Sequence, residues 1–270
     1  MRLGDREVWR ATHTPDGPAT LRLAHADGGV IDVDAWGAGA TWAARHAPAL
    51  CGEEDDDSDF HPREAALIDA HRRHPGLRIT KTRAVFEALV PTVIGQKVQT
   101  VAAHASYRSL LYEFGTPAPG PAKLQVPPPA SVLAETPYWA FHKLGVERRR
   151  ADVIIRAARS ARRLEETVQM SRADAWQRLQ AFPGVGPWTA AKVAMVALGD
   201  ADAVPVGDYH LPHMVGYVFD GTARSTDERM LEILEPYRPD RGRVLRLLTL
   251  TGVAAPRFGP RLPLRDITRS

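Results

Sequence analysis

The apolar residues of this chain change their period at about residue 65, and that change constrains the fold more than any other feature. Before it, WRATH, ATLRLAHA and VIDVDAW alternate apolar and polar residues, the pattern of half-buried strands. Pro15-Asp16-Gly17 and Asp27-Gly28-Gly29 lie between them, and an Asp-Gly-Gly flanked by alternating runs signals a hairpin. After it, segments from AALIDAHRR through RRADVIIRAARSARRLEE to RGRVLRLLTLTG repeat apolar residues every three or four positions. Pro91 is expected to kink or shorten the helix AVFEALVPTVIG, and residues 115–129, rich in Pro and Gly, to be a loop. No segment recurs at a fixed period, which argues against a solenoid. The expected class is α+β, mostly α: a small N-terminal antiparallel sheet domain over residues 1–62, then a helical domain over 63–270.

A chain of 270 residues, 44% hydrophobic and 25% charged, has the composition of a globular protein. It has no apolar run long enough to span a bilayer, and MRLGDREVWRATHT lacks the apolar core of a secretory signal. The single cysteine, Cys51, excludes an internal disulfide and a four-cysteine iron–sulfur cluster. A reducing, cytoplasmic location is expected. Charge is lopsided: residues 1–62 hold 5 basic and 12 acidic side chains, and the remainder 30 basic and 20 acidic. Such asymmetry suggests that the later part meets a polyanion. The acidic run EEDDDSD, residues 53–59, reads as a solvated loop rather than a metal site.

Two motifs carry chemistry. In LQAFPGVGPWTAAKVAMVALG, residues 179–199, a helix whose start Ser171 and Asp174 can cap is stopped before Pro183. Gly184-Val185-Gly186 makes a tight turn, and Pro187 suits the first position of a second helix. Amides at such a helix start can bind a phosphate without a charged side chain, although a bare PGVG is also an ordinary helical corner. It is not a nucleotide P-loop, since Gly-Lys-Ser/Thr is absent. Some twenty residues on, in AVPVGDYHLPH, Asp208 heads another helical pattern. It can cap that helix and still present a carboxylate oxygen to a ligand. His210 and His213 lie beside it without a complete set of metal ligands.

Taken in order, GVGPWTA, a short helix and GDYH resemble the helix-hairpin-helix DNA glycosylase superfamily. VFEALVPTVIGQKVQTVAA resembles its segment ending in a Gly-Gln loop that probes the base stack, and LGVERRRADVIIRAARS its Leu-Gly-x-x-x-x-(Arg/Lys)-Ala helix start. LEPYRPDRGRVLRLL resembles its C-terminal Pro-Tyr-Arg helix. The resemblance covers roughly residues 65–250 and is strongest to the DNA-3-methyladenine glycosylase II branch, which also has a small N-terminal sheet domain.

The resemblance implies a monofunctional DNA glycosylase of base excision repair, removing alkylated or otherwise modified bases from double-stranded DNA. It implies a monomer without membrane contact, working in the cytoplasm on a bacterial nucleoid. Asp208 matches the catalytic aspartate. Gln96 and Lys97 match the probing loop; Gly184, Val185, Gly186 and Thr189 match the hairpin that grips DNA. Trp188 stands where bifunctional relatives carry a Schiff-base lysine, so no lyase step is expected. With Lys192, Tyr209 and Arg246 it is expected to line the base pocket. Lys192 stands where the branch can place an aromatic residue, and Arg246 near a position that can carry tryptophan, which bears on substrate range. No cofactor and no catalytic metal are expected, beyond a monovalent cation that hairpin carbonyls can hold in this family. The basic run 142–163, with Arg149, Arg156 and Arg163 seven residues apart, reads as a solvated face or a further DNA contact. Two other readings stay open: a non-catalytic binder of distorted DNA, and a metal-dependent hydrolase built on Asp208, His210 and His213.

Overall fold

The computed structural model describes residues 1–256. The chain begins with strands β1 (Arg2–Leu3), β2 (Glu7–Thr14), β3 (Gly17–His25) and β4 (Ile31–Trp36), followed by short helices α1 (Ala40–Arg45) and α2 (Ala47–Leu50). Helices α3 (Ala65–Arg73), α4 (Val85–Ile94) and α5 (Thr100–Phe114) precede a small strand pair, β5 (Thr116–Pro117) and β6 (Gln125–Val126). Then come α6 (Ala130–Glu135), α7 (Tyr138–Lys143), α8 (Arg148–Arg159), α9 (Ala161–Glu165), α10 (Arg172–Gln180) and α11 (Pro187–Val193). Helices α12 (Leu211–Asp220), α13 (Asp227–Leu234) and α14 (Arg241–Leu250) complete the described chain. The α+β class, mostly helical with a four-stranded antiparallel N-terminal sheet, is as expected. Among the described residues no helix is long and apolar enough to cross a membrane.

These elements form two compact units that cut across the expected division into 1–62 and 63–270. One unit joins Met1–Leu50 to Ala84–Glu166, so the sheet shares a body with α4–α9. Its sheet runs β1-β2-β3-β4, all antiparallel, with Gly28 and Gly29 at φ 78° and 79° turning the chain between β3 and β4. Polar groups on β2 tie it to α4: Arg10 and Thr12 each donate to the Glu87 carboxylate at 2.6 Å. Such long-range polar ties leave no trace in hydrophobic period, which is why the boundary fell elsewhere in the sequence. Glu165 caps α4 by accepting from the Val85 and Phe86 amides. Burial pushes its carboxyl up despite those bonds. Pro91 sits inside α4 without ending it, and the 115–129 segment is not all loop, since β5 and β6 pair there. The basic run breaks at Ser160: Arg149 and Arg156 are exposed on α8, while Arg163 belongs to α9.

The second unit combines Cys51–Arg83 with the described residues from 167 onward. Its core gathers Phe60, Leu67, Met214, Met230, Leu234 and Val244, drawn from helices far apart in sequence. The acidic run is only partly the solvated loop expected. Asp55 receives both guanidinium nitrogens of Arg243, at 2.7 and 2.8 Å, and the Ile79 amide at 2.8 Å. Asp57 pairs with Arg78 at 2.6 Å, and Glu54 with Lys81 and Arg83. These basic partners, distant in sequence, fold the run onto the unit.

Candidate active site

The hairpin forms as its residue types require. Ser171 accepts from the Asp174 amide at 3.2 Å and so caps α10. Gly184 adopts φ 93°, a backbone that disfavours any side chain. Gly186 caps α11 with Pro187 in its first turn. The second glycine and Gly184 are exposed, whereas Val185 and Thr189 are enclosed, Thr189 at 2% exposure. The Thr189 side chain, like that of Val185, is buried, so a contact of either residue with DNA would run through its main chain.

Helix α11 carries Trp188 and, one turn later, Lys192 on one face. The Trp188 indole N–H donates to Asp208 Oδ2 at 2.8 Å. The Lys192 amine lies 5.8 Å from the centre of the Trp188 ring. Asp208 reaches this position through Gly207, whose φ of 91° turns the chain and whose amide is held by Asp227 Oδ2 at 3.0 Å. The other Asp208 oxygen, Oδ1, accepts from the His210 and Leu211 amides at 2.9 and 3.1 Å, at the start of α12. The N-cap of α12 is His210 and not Asp208, but these two bonds still tie Asp208 to the helix start through only one of its two oxygens.

Burial alone would push the Asp208 carboxyl up, since charge is costly away from water. The Trp188 indole, the two backbone amides and the nearby Lys192 charge outweigh it and hold the carboxyl below the ordinary aspartate range. Asp208 is a half-buried carboxylate, ionised at neutral pH, whose hydrogen bonds come from neutral donors.

Around it, Tyr209 is 78% exposed and sets its ring edge against His210 and His213. His213 Nδ1 accepts from the Ser225 amide at 3.1 Å, which occupies one of its two possible ligating atoms. Among the described residues no group of three or more His, Cys, Asp or Glu side chains could hold a metal ion. Arg246 is exposed on α14, outside the hydrogen-bonded set of Trp188 and Asp208.

Gln96 and Lys97 follow α4 in the other unit, with Lys97 exposed at a left-handed φ of 54°. Arg150, 8% exposed, donates from Nη1 to the Gln96 carbonyl at 3.0 Å and fixes this loop. Arg150 is the basic residue of the Leu-Gly-x-x-x-x-(Arg/Lys)-Ala helix start, and its place in step with the buried Val153, Ile154 and Ala157 of α8 turns it inward.

The fold is that of the helix-hairpin-helix DNA glycosylases. A 3-methyladenine DNA-glycosylase from Archaeoglobus fulgidus superposes with a TM-score of 0.78 at 20% identity, over 92% of this chain and 88% of that one. Within that class, sequence similarity lies with proteins named as acting on 3-methyladenine. The DNA-3-methyladenine glycosylase of Bacillus subtilis (strain 168) is 28% identical over 195 residues, 68% of this chain and 64% of the relative. DNA-3-methyladenine glycosylase 2 of Escherichia coli (strain K12) is 29% identical over 169 residues, 61% and 57% of the two chains. The matched stretches thus span less than two thirds of these relatives. No protein-family model matches the chain.

Proposed function

We propose that this chain is a monofunctional DNA glycosylase of base excision repair, acting as a cytoplasmic monomer on double-stranded DNA that contains an alkylated or otherwise modified base. The observation that carries the reading is the Asp208 carboxylate, kept ionised beside the hairpin helix by the Trp188 indole, two backbone amides and the nearby Lys192 charge. The similarity to DNA-3-methyladenine glycosylases supports it independently.

The chemistry follows from what breaks. A base inside a duplex has no accessible glycosidic bond, so it must first leave the stack. Gln96 and Lys97, on a loop braced by Arg150, fill the space left behind. Main-chain groups of the Gly184–Val185–Gly186 turn take a phosphate. When the bond between the base and C1′ breaks, both electrons leave with the base and positive charge grows on the sugar. Asp208 faces that charge as an anion and orients the water whose oxygen adds to C1′. The turn offers main-chain carbonyls and no carboxylate, a donor set that fits a monovalent ion; such an ion would stiffen the turn. The exposed Arg149 and Arg156 add a basic face for the DNA backbone.

Trp188 has no amine to attack C1′, so hydrolysis leaves an intact strand with an abasic site. The test is a panel of duplexes carrying 7-methylguanine, 3-methyladenine, hypoxanthine or ethenoadenine, each treated with and without a chelator and then with alkali. Strand breaks should require alkali and survive chelation. Borohydride trapping of a protein–DNA adduct would overturn the monofunctional reading, and metal-dependent release would revive the hydrolase. Tight binding of distorted duplex with no base released would leave the chain a binder alone.

A further inference from the structure

Lys192 is the one charged side chain that the Trp188–Asp208 pair brings to its own helix face. It follows Trp188 by one turn of α11, its amine lies 5.8 Å from the indole centre, and its charge reaches the Asp208 carboxylate. The indole is fixed by its bond to Asp208, so the lysine is carried on a ring whose position is set. A cation on the face of Trp188 already uses the attraction that face could offer to a positively charged base. An ammonium is also a donor with three N–H groups, suited to a lone pair on a ring nitrogen or carbonyl oxygen.

Resting on the glycosylase reading, we propose that Lys192 sets the substrate class: it hydrogen-bonds the departing base and favours neutral modified bases over those already cationic. The balance of the reaction explains the preference. A base alkylated on a ring nitrogen carries positive charge before the bond breaks, and the electron pair it receives leaves it neutral. It needs no donor, and a nearby ammonium repels it. A neutral base receives the same pair and departs as an anion, which is a poor leaving group unless a donor shares the charge. Water supplies hydroxyl to C1′ and, by way of Asp208 and Lys192, its proton to the base. Both side chains end the turnover unchanged.

The experiment compares single-turnover release of hypoxanthine and of 7-methylguanine from duplexes of one sequence, by the full chain and by Lys192→Met and Lys192→Arg. The ratio of the two rates is read within each variant, so a loss of folded protein cancels. In Lys192→Met the hypoxanthine-to-7-methylguanine ratio should fall by about tenfold or more, and in Lys192→Arg it should stay within about threefold of the unaltered chain. An unchanged ratio in Lys192→Met, or an equal loss on both bases with a shallower salt dependence, overturns the proposal and makes Lys192 a structural or phosphate contact. If the unaltered chain releases neither base, nor any base of the wider panel, the glycosylase reading fails and takes this inference with it. Release with an unmoved ratio removes the inference alone.

Discussion

Asp55 and Asp208 lie in the same unit and are both withdrawn from water, yet their charges are treated in opposite ways. Asp55 is met by the planar fork of Arg243, a pair in which the arginine is 2% and the aspartate 4% exposed. Arg243 also pairs with Asp240 at 2.7 Å and lies over the Phe60 ring. That charge is spent within the fold, and nothing else can use it. Asp208 receives no guanidinium. An indole and two amides satisfy its oxygens, and with only the Lys192 charge nearby its negative field is left to act on whatever approaches. Neutral donors stabilise a carboxylate without cancelling it, and that difference separates an aspartate that holds a structure from one that can serve a reaction.

The contrast predicts where substitution should hurt. Arg243→Met leaves Asp55 and Asp240 buried without their shared cation, and breaking such a pair costs about 3–5 kcal/mol. Urea unfolding should show that loss in the midpoint. A variant as stable as the parent would mean that the two carboxyls find water or protons, and that the pair is not structural. Asp208→Asn should do the reverse. Its amide oxygen can keep the bonds from His210 and Leu211, but its NH2 then faces the Trp188 N–H, so unfolding should lose about 1.5 kcal/mol for that one bond to a charged group, less than in Arg243→Met. Base release should fall by about 10²–10³-fold or more, the scale of losing one electrostatic contact with a charge that develops in the transition state. Near-normal single-turnover release would remove Asp208 from the chemistry and erase the comparison.

The two aspartates also differed in how legible they were. Asp208 stood out because Gly207 before it and the helical pattern after it specify a turn, and such local geometry can be read from neighbours. The strands and most helices were legible for the same reason: each is written in the period of its own residues. Asp55 was read as one acid in a solvated run, because its partner lies 188 residues away. The units were missed through the same blindness, since Glu87 joins β2 to α4 across 75 and 77 residues. The burial of the Thr189 side chain is likewise set by what packs on α11 and not by its neighbours in the sequence. The pairing of Trp188 with Asp208 spans only 20 residues, but an indole reaching a carboxylate has no sequence signature apart from the fold.

The smallest effect tests the comparison most finely. Trp188→Phe keeps the aromatic ring and removes the N–H that serves Asp208 Oδ2. The first influence on this carboxyl is burial, which raises it, and the Trp188 bond is the first of those that lower it past its ordinary value of 3.8. Its folded value lies below its unfolded one, so the ionised carboxylate contributes stability above the unfolded value. That contribution is lost as pH falls through the folded value. The acid limb of the release rate should therefore lie below the ordinary aspartate range in the parent. In Trp188→Phe it should move upward, because burial then meets fewer opposing bonds. At neutral pH the variant should still be ionised and should lose roughly tenfold in rate, as expected for one hydrogen bond to a charged group at about 1.5 kcal/mol. The check is a pair of single-turnover pH profiles on the same duplex. If the acid limb stays in place while the neutral rate falls, Trp188 acts on the base and not on Asp208. A shifted limb with little neutral loss would instead make the indole chiefly a support for the carboxylate.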